Sequence, residues 1–196
     1  MESTDWDERY AVDELIWRAD PNRFLVEEVG GLPVGRALDV ACGEGRNAVW
    51  LAEQGWNVTG VDFSNVALAK AAKLASSRGV EVEWLPADVR TWDPPRAAFD
   101  LVVLCYVHLP ALERSTLHAR AVRALAPGGS ILVVGHDLAN LAEGIGGPQD
   151  PAVLFTPGDV VEDLAGLDIV RAESVQRPVD GGHNAIDVLV RAVRAG

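Results

Sequence analysis

Two cysteines in 196 residues leave little material for a disulfide framework. Cys42 and Cys105 each close a stretch that reads as a buried strand, so a reducing, cytoplasmic setting is expected. No cysteine–histidine cluster has the spacing of a zinc site, and no metal is expected. No run of about 18 apolar residues occurs, so no transmembrane helix is expected. The opening Met1-Glu-Ser-Thr-Asp-Trp-Asp-Glu8 is acidic and polar, unlike a secretory leader. Positive charge is scarce: 17 basic residues stand against 29 acidic ones, a formal net charge of −12. Such a surface repels nucleic acid, whose binding needs a basic patch. The expected partner is a small neutral, cationic or apolar molecule, with no nucleic acid and no membrane, and the protein is expected to be a monomer or homodimer.

What is present is an apolar content of 48%, enough for a substantial core, and a length that suits one domain. Strands and helices alternate, which predicts a mostly parallel, doubly wound α/β sheet covered on both faces. Strands are expected over Arg36–Ala41, Asn57–Asp62, Val80–Leu85, Phe99–Cys105 and Ser130–Gly135. Helices are expected over Gly45–Gln54, from a Ser64 cap to Arg78 with Gly79 as stop, and over Leu109–Ala126. Asp137–Phe155, rich in glycine and proline, reads as a surface loop. Thr156 caps a short helix with Pro157 at its first position. Asp168–Gln176 and Ala185–Arg194 follow, joined by a link too short for a crossover helix, so they form an antiparallel pair. Near the N-terminus, Asp20 is expected to cap a helix starting at Pro21. Ahead of it, Trp6, Tyr10 and Trp17 form either a lid or a simple hydrophobic clamp. The single domain thus divides into an N-terminal segment (1–30), a cofactor-binding core (35–136) and a substrate loop with C-terminal hairpin (137–196).

The stretch Ala37-Leu-Asp-Val-Ala-Cys-Gly-Glu-Gly-Arg-Asn47 is a strand, a glycine turn and a helix start. Gly43 and Gly45 let backbone approach a ligand where a side chain would clash. The spacing Gly43-x-Gly-x-x-Ala48, with Asp62 nineteen residues beyond Gly43, also satisfies a dinucleotide fingerprint. Three features favour S-adenosylmethionine over a nicotinamide cofactor. Asp39 precedes the turn and would repel a pyrophosphate but attract an ammonium group. Asp88, after the third strand, suits the adenine amino group, with the Val89 N–H beside it. The terminal antiparallel pair is foreign to a plain nucleotide-binding half.

These residues resemble the class I S-adenosylmethionine-dependent methyltransferases. Asp39-x-Ala-Cys-Gly-Glu-Gly45 is similar to the family's first motif, Val61-Asp62 to the acidic end of its second strand, and Ala87-Asp88 to its adenine-recognition acid. Asp100–Cys105 is similar to the fourth-strand motif and Leu125-Ala-Pro-Gly-Gly129 to the turn before the fifth strand. Cys42–Asn47 and Trp6–Tyr10 are similar to the small tellurite-resistance and thiopurine-type members. The resemblance implies a Rossmann-like seven-stranded sheet with an antiparallel C-terminal strand. It implies methyl transfer from S-adenosylmethionine, with S-adenosylhomocysteine as product.

The roles expected on that basis each have a plainer alternative. Gly43 and Gly45 contact the methionine part, or only make a tight turn. Asp39 binds the ammonium, or satisfies the turn's backbone. Asp62 accepts both ribose hydroxyls, or caps a helix. Phe63 stacks on adenine, or packs in the core. Asp88 and Val89 read adenine, or form a solvated turn. Arg46 pairs with the cofactor carboxylate, or with a surface acid. Cys105 offers its carbonyl near the cofactor. Acceptors with high pKa need a base, for which Tyr106, His108 and His136, with Asp137, are the candidates; a soft thiol or metalloid oxyanion needs little. No Asn-Pro-Pro-Tyr-like signature follows the fourth strand, which argues against base methylation of nucleic acid. Two other classes stay open at this stage: an NAD(P)-binding oxidoreductase and a non-catalytic S-adenosylmethionine-binding module.

Overall fold

A computed structural model describes residues 3–12, 15, 19–179 and 181–196. Trp17 lies outside the described residues. The chain packs as two compact units, residues 1–93 with 99–103, and residues 94–98 with 104–196.

In the first unit the elements are α1 (Ser3–Tyr10), α2 (Arg23–Val29), β1 (Arg36–Val40), α3 (Arg46–Glu53), β2 (Asn57–Asp62), α4 (Asn65–Arg78), β3 (Glu83–Pro86) and the first five residues of β4 (Phe99–Cys105). β1 pairs parallel with β2, Asp39 opposite Gly60, and β2 pairs parallel with β3, Asp62 opposite Pro86. The α4 boundaries follow from local chemistry. The Ser64 hydroxyl accepts from the Ala67 N–H, and Gly79 ends the helix at φ +68°, a left-handed geometry that costs glycine nothing. The Leu-Val-Val-Leu run of β4 is buried throughout, as strands covered on both faces require. Leu25, Leu38 and Leu51 are fully buried, each contributing about 2–3 kcal/mol of transfer free energy.

The second unit holds the end of β4, α5 (Ala111–Ala124), β5 (Leu125–His136), α6 (Asn140–Glu143), a 3₁₀ turn at Pro151–Val153, α7 (Pro157–Asp163), β6 (Asp168–Val179) and β7 (His183–Val193). β7 runs antiparallel to both β5 and β6. The seven strands take the order β3-β2-β1-β4-β5-β7-β6, a mostly parallel sheet whose exceptions lie at the C-terminus, as expected. Thr156 forms a reciprocal capping box with Asp159 at the start of α7, with Pro157 at the first helical position.

Several expected boundaries are corrected. Asn22, not Asp20, caps the N-terminal helix: its side-chain oxygen accepts from the Phe24 and Leu25 N–H groups, so the helix starts at Arg23. The third strand begins at Glu83 rather than Val80, because the Val80 N–H bonds back to Ala75 to close α4. α5 starts at Ala111, since a residue before proline is steered away from the helical region and Leu109 precedes Pro110. It ends at Ala124, and β5 starts at Leu125 rather than Ser130, because Gly128 and Gly129 bond to the Arg194 backbone. β6 and β7 also extend further into the hairpin than expected, to Val179 and from His183.

The stretch from Asp137 to Phe155 is more than a surface loop. It carries α6 and the 3₁₀ turn, and Asp137, Asn140, Leu154 and Phe155 are buried. Its ties to β7 run through the Asn140 side chain, which accepts from the Ile186 N–H at 2.7 Å and donates to the Gly146 carbonyl at 2.9 Å. Composition conceals bonds of this kind. Asn22→Ala is expected to lower unfolding stability by about 1 kcal/mol through loss of the α2 cap. The check is a lower urea midpoint at an unchanged slope.

Candidate functional site

At the end of β1 the chain turns through Gly43 (φ +55°) and Gly45 (φ +80°) into α3. The turn is stitched from inside. The Cys42 N–H bonds to the Val61 carbonyl at 3.0 Å, the Gly45 N–H to the Cys42 carbonyl at 3.0 Å, and the Gly43 N–H to Asp62 Oδ2 at 2.8 Å. Asp62 Oδ1 accepts from the Ser64 N–H at 2.9 Å. Asp62 therefore does serve the backbone at the start of α4, and it also clamps the glycine turn. The N–H groups of Gly43 and Gly45 are already spent, so this turn does not offer that pair to a pyrophosphate.

The two glycines differ in purpose. A Cβ at Gly45 would stand 2.7 Å from both Ala71 Cβ and Trp84 Cη2. Its missing side chain makes room for packing by α4 and β3. A Cβ at Gly43 would stand 3.0 Å from the Tyr10 hydroxyl. Tyr10 is buried, Trp6 stacks on it at 5.5 Å, and the Ser64 hydroxyl donates to Asp7 at 2.5 Å. α1 thus covers the glycine turn.

Asp39 is buried, and its Oδ2 has no hydrogen-bond partner. Burial pushes its carboxyl up to about 7, opposed by the Ala48 N–H and the Arg46 charge and assisted by Asp62. Asp62 is also raised, chiefly by burial, against the Ser64 and Gly43 N–H groups. Burial and these two acids push the Cys42 thiol well above its usual range. The end of the β1–β2 pair is therefore short of positive charge. An unpartnered buried carboxylate oxygen costs on the order of 1–3 kcal/mol until a donor or cation reaches it. The donor set suits a ligand carrying an ammonium and ribose hydroxyls, as S-adenosylmethionine does, and suits a pyrophosphate poorly.

Phe63 is half-buried after β2 and Val89 is buried after β3. Asp88 starts a turn, its carbonyl accepting from the Thr91 and Trp92 N–H groups, and its carboxylate takes the Arg90 guanidinium, with Nη2 to Oδ2 at 2.8 Å. Arg90 holds that carboxyl below its usual range. Arg46 borders a cleft lined by Asp20, Trp50, Glu53 and Arg78.

In the second unit, Tyr106 follows β4 in the left-handed region (φ +60°), a cost of about 1–3 kcal/mol for a non-glycine residue. Its hydroxyl donates to Asp187 Oδ2 at 2.8 Å. His108 Nδ1 donates to the Val153 carbonyl at 3.2 Å, and its Nε2 accepts from the His136 N–H at 3.4 Å. Burial, then the neighbouring His136, lowers His108 to about 4, so it stays neutral. His136 stacks on His108 at 5.4 Å, and its Nδ1 lies 3.2 Å from Asp187 Oδ1. Asp137 is occupied elsewhere, accepting from the Ala139 N–H and the Ser174 hydroxyl. Cys105 is half-buried at the end of β4.

Sequence reading missed Asp187, Arg177 and the Glu44–Lys70 pair. Asp187 is completely buried and takes Arg177 Nε at 2.6 Å. Burial alone would raise its carboxyl; His136, Arg177 and Tyr106 bring it below the usual range. A signal was there: one acid inside the otherwise apolar run Ala185-Ile-Asp-Val-Leu-Val190. Glu44, in the glycine turn, is buried against Lys70 at 3.1 Å. Nothing local predicts that pairing across 26 residues.

The strand order, the glycine turn after β1 and the acid ending β2 define a Rossmann-like methyltransferase fold. Residues 37–129 match a family model described as a methyltransferase domain. The chain is 37% identical over 123 residues to demethylmenaquinone methyltransferase of Thermus thermophilus, covering 62% of this chain and 54% of that protein. It is 32% identical over 156 residues to thiocyanate methyltransferase 1 of Arabidopsis thaliana, covering 76% and 66%. The N-methyltransferase NodS from Bradyrhizobium japonicum, solved with S-adenosyl-L-homocysteine, shares the fold with a TM-score of 0.76 at 20% identity, covering 100% of both chains. The family model, these relatives and the shared fold together support a class I S-adenosylmethionine-dependent methyltransferase. It spans roughly half to two thirds of the length of the curated relatives it matches.

Asp39 yields a signed prediction. In acid, folded and unfolded chains both carry its proton and stability is unaffected. As pH rises from about 4 towards 7, the unfolded chain ionises while the folded one keeps the proton, so stability falls, levelling above pH 7. Asp39→Asn is expected to stabilise the ligand-free protein by on the order of 1–3 kcal/mol near pH 7.5 and by less at pH 5, read as a higher thermal midpoint. Melting curves at the two pH values check both sign and trend.

Proposed function

We propose that the protein methylates a small-molecule acceptor using S-adenosylmethionine. The observation that carries this reading is the buried, unpartnered Oδ2 of Asp39 beside a glycine turn whose N–H groups are already used. A cationic group relieves that oxygen; a phosphate makes its position worse. When bound, S-adenosylmethionine supplies a methyl group on a positively charged sulfur.

In this reading Asp39 takes the ammonium, and ionises as it does so. Gly43 and Gly45 lie along the methionine part, and Arg46 takes its carboxylate. Asp62 accepts the ribose hydroxyls with the lone pairs that the Gly43 and Ser64 N–H groups leave over. Phe63 stacks on adenine, Asp88 and the Val89 N–H read its edge, and Cys105 offers its carbonyl. α1, with Tyr10 over Gly43, excludes water from the turn. On the acceptor side, Tyr106, His108 and His136 are the polar groups, at the carboxyl ends of β4 and β5, where open α/β sheets take their ligands. The acceptor classes are a thiol, a phenol or heterocycle, or a metalloid oxyanion. Relatives named for thiocyanate and for demethylmenaquinone support a small acceptor.

Calorimetric titration with S-adenosylmethionine, S-adenosylhomocysteine and NADH tests the reading. The two sulfur nucleosides are expected to bind and NADH not to. Asp62→Ala is expected to weaken binding about tenfold or more, the loss of charge-assisted hydrogen bonds. Binding of NADH alone would overturn the assignment.

A further inference from the structure

Of the three polar side chains placed on the acceptor side, at the carboxyl ends of β4 and β5, two have no capacity left to take a proton. Burial and the Asp187 charge push the Tyr106 phenol above its usual range, and its hydroxyl is committed to that carboxylate. His108 is engaged at both ring nitrogens. His136 is set differently. It stands directly opposite Asp187 in the β5–β7 ladder, and direct partners of an antiparallel pair project from the same face of the sheet. Its Nδ1 is buried and lies 3.2 Å from Asp187 Oδ1, within ion-pair distance but without hydrogen-bond alignment, and no other group bonds to it. Its Nε2 is not among the buried unpartnered atoms and has no protein partner among the described residues.

The groups around this pair are arranged to keep Asp187 ionised. Arg177 Nε donates to Oδ2 at 2.6 Å and Tyr106 donates to the same oxygen at 2.8 Å. The guanidinium stays charged and the phenol keeps its proton, so neither neutralises the carboxylate. Oδ1 faces the imidazole at 3.2 Å and takes a longer contact, 3.5 Å, from Arg177 Nη2. A carboxylate at one ring nitrogen fixes the proton there, bares the other nitrogen as a base, and balances the imidazolium that follows. Such contacts are often loosely aligned before substrate binds.

Resting on the methyltransferase reading above, we propose that His136 Nε2 is the base that deprotonates the methyl acceptor, with Asp187 as its positioning residue, and that the acceptor presents a hydroxyl still protonated at neutral pH, for which a phenol is the probe. The phenolic O–H bond breaks with its electron pair left on oxygen. The proton goes to the Nε2 lone pair, and the new positive charge lies against Asp187. The oxygen lone pair then forms the bond to the methyl carbon as the carbon–sulfur bond breaks, its electron pair staying on sulfur, which leaves as the neutral thioether of S-adenosylhomocysteine. A soft anion carries no proton to remove, and this machinery would do nothing for it.

The test uses the full chain, with 4-methylphenol, 4-nitrophenol and thiocyanate ion as acceptors. In wild type, ¹⁵N spectra of histidine-labelled protein are expected to show His136 protonated at Nδ1 and bare at Nε2. His136→Gln is expected to lower kcat for 4-methylphenol about a hundredfold or more. It should lower kcat for 4-nitrophenol, already largely ionised at pH 8, by much less, and abolish the acidic limb of the wild-type pH profile. Asp187→Asn is expected to reduce kcat with little change in KM and to lose the Nδ1–H form. If that buried substitution does not fold, the less buried His136→Gln carries the test. The groups that bear on the profile are Asp187 on β7, Arg177 on β6, and Tyr106 and His108 after β4. A His136 ring protonated at Nε2, an equal loss with both phenols, or turnover of thiocyanate with neither phenol would each overturn the proposal. Failure of the methyltransferase reading itself would appear separately, as absent calorimetric binding of the sulfur nucleosides.

Discussion

The hydrogen bond from the Gly43 N–H to Asp62 joins the turn after β1 to the end of β2, and the first unit is organised around it. One carboxylate holds the glycine turn with one oxygen and the start of α4 with the other. The parallel register of β1 and β2 sets Asp39 opposite Gly60, so Asp39, one residue before the end of β1, and Asp62, the last of β2, sit near the same end of neighbouring strands. Gly60 and Gly45 are both needed to seat Trp84, whose ring atoms would lie 2.6–2.7 Å from a Cβ at either position. Glycine in this region thus serves packing as much as ligand access.

The same arrangement concentrates carboxyl groups where water is excluded. Asp39 has an unpartnered oxygen and is pushed up to about 7 by burial. Asp62 is raised for the same reason, with Asp7 on α1 adding to it. The folded chain carries this cost without a compensating cation nearby, apart from the partial effect of Arg46. A site kept unfavourable in the free protein gains most from a ligand that brings the missing charge. The glycine spacing fits a dinucleotide and a sulfonium nucleoside equally; the surplus of buried carboxyls fits only the second.

The second unit solves a different problem. Asp187 is completely buried in the middle of β7, and a lone buried carboxylate is expensive. It is matched by Arg177 from β6, Tyr106 after β4 and His136 on β5, so three separate chain segments converge on one side chain. Arg114, His118 and Asp163 make a comparable buried group between α5 and α7, with Arg114 Nε 2.8 Å and His118 Nδ1 2.9 Å from the same oxygen. There both imidazole and guanidinium point at the carboxylate from one helix, and the group locks the helices together.

Local rules read much of this protein directly from its residues. The bounds of β2, α4 and β4, the capping box at Thr156 and the antiparallel C-terminal pair follow from short-range patterns: caps, left-handed glycines and apolar runs. The identities of Asp39, Gly43 and Asp62 as a group follow from their spacing around one strand–turn–helix unit. Elsewhere a competing local option won, as where Asn22 displaced Asp20 as cap and Pro110 delayed α5. What the sequence did not determine depends on residues far apart in the chain. Asp187 meets Tyr106 across 81 positions, Glu44 meets Lys70 across 26, and Asn140 ties its glycine-rich segment to Ile186 across 46. No periodicity or motif encodes such pairs, because each exists only after the sheet register has brought its strands together. The sequence by itself determined the fold family and which acids end the strands. Tertiary structure decided which carboxylates lack a partner and which imidazole keeps a free nitrogen, since burial and long-range pairing set both.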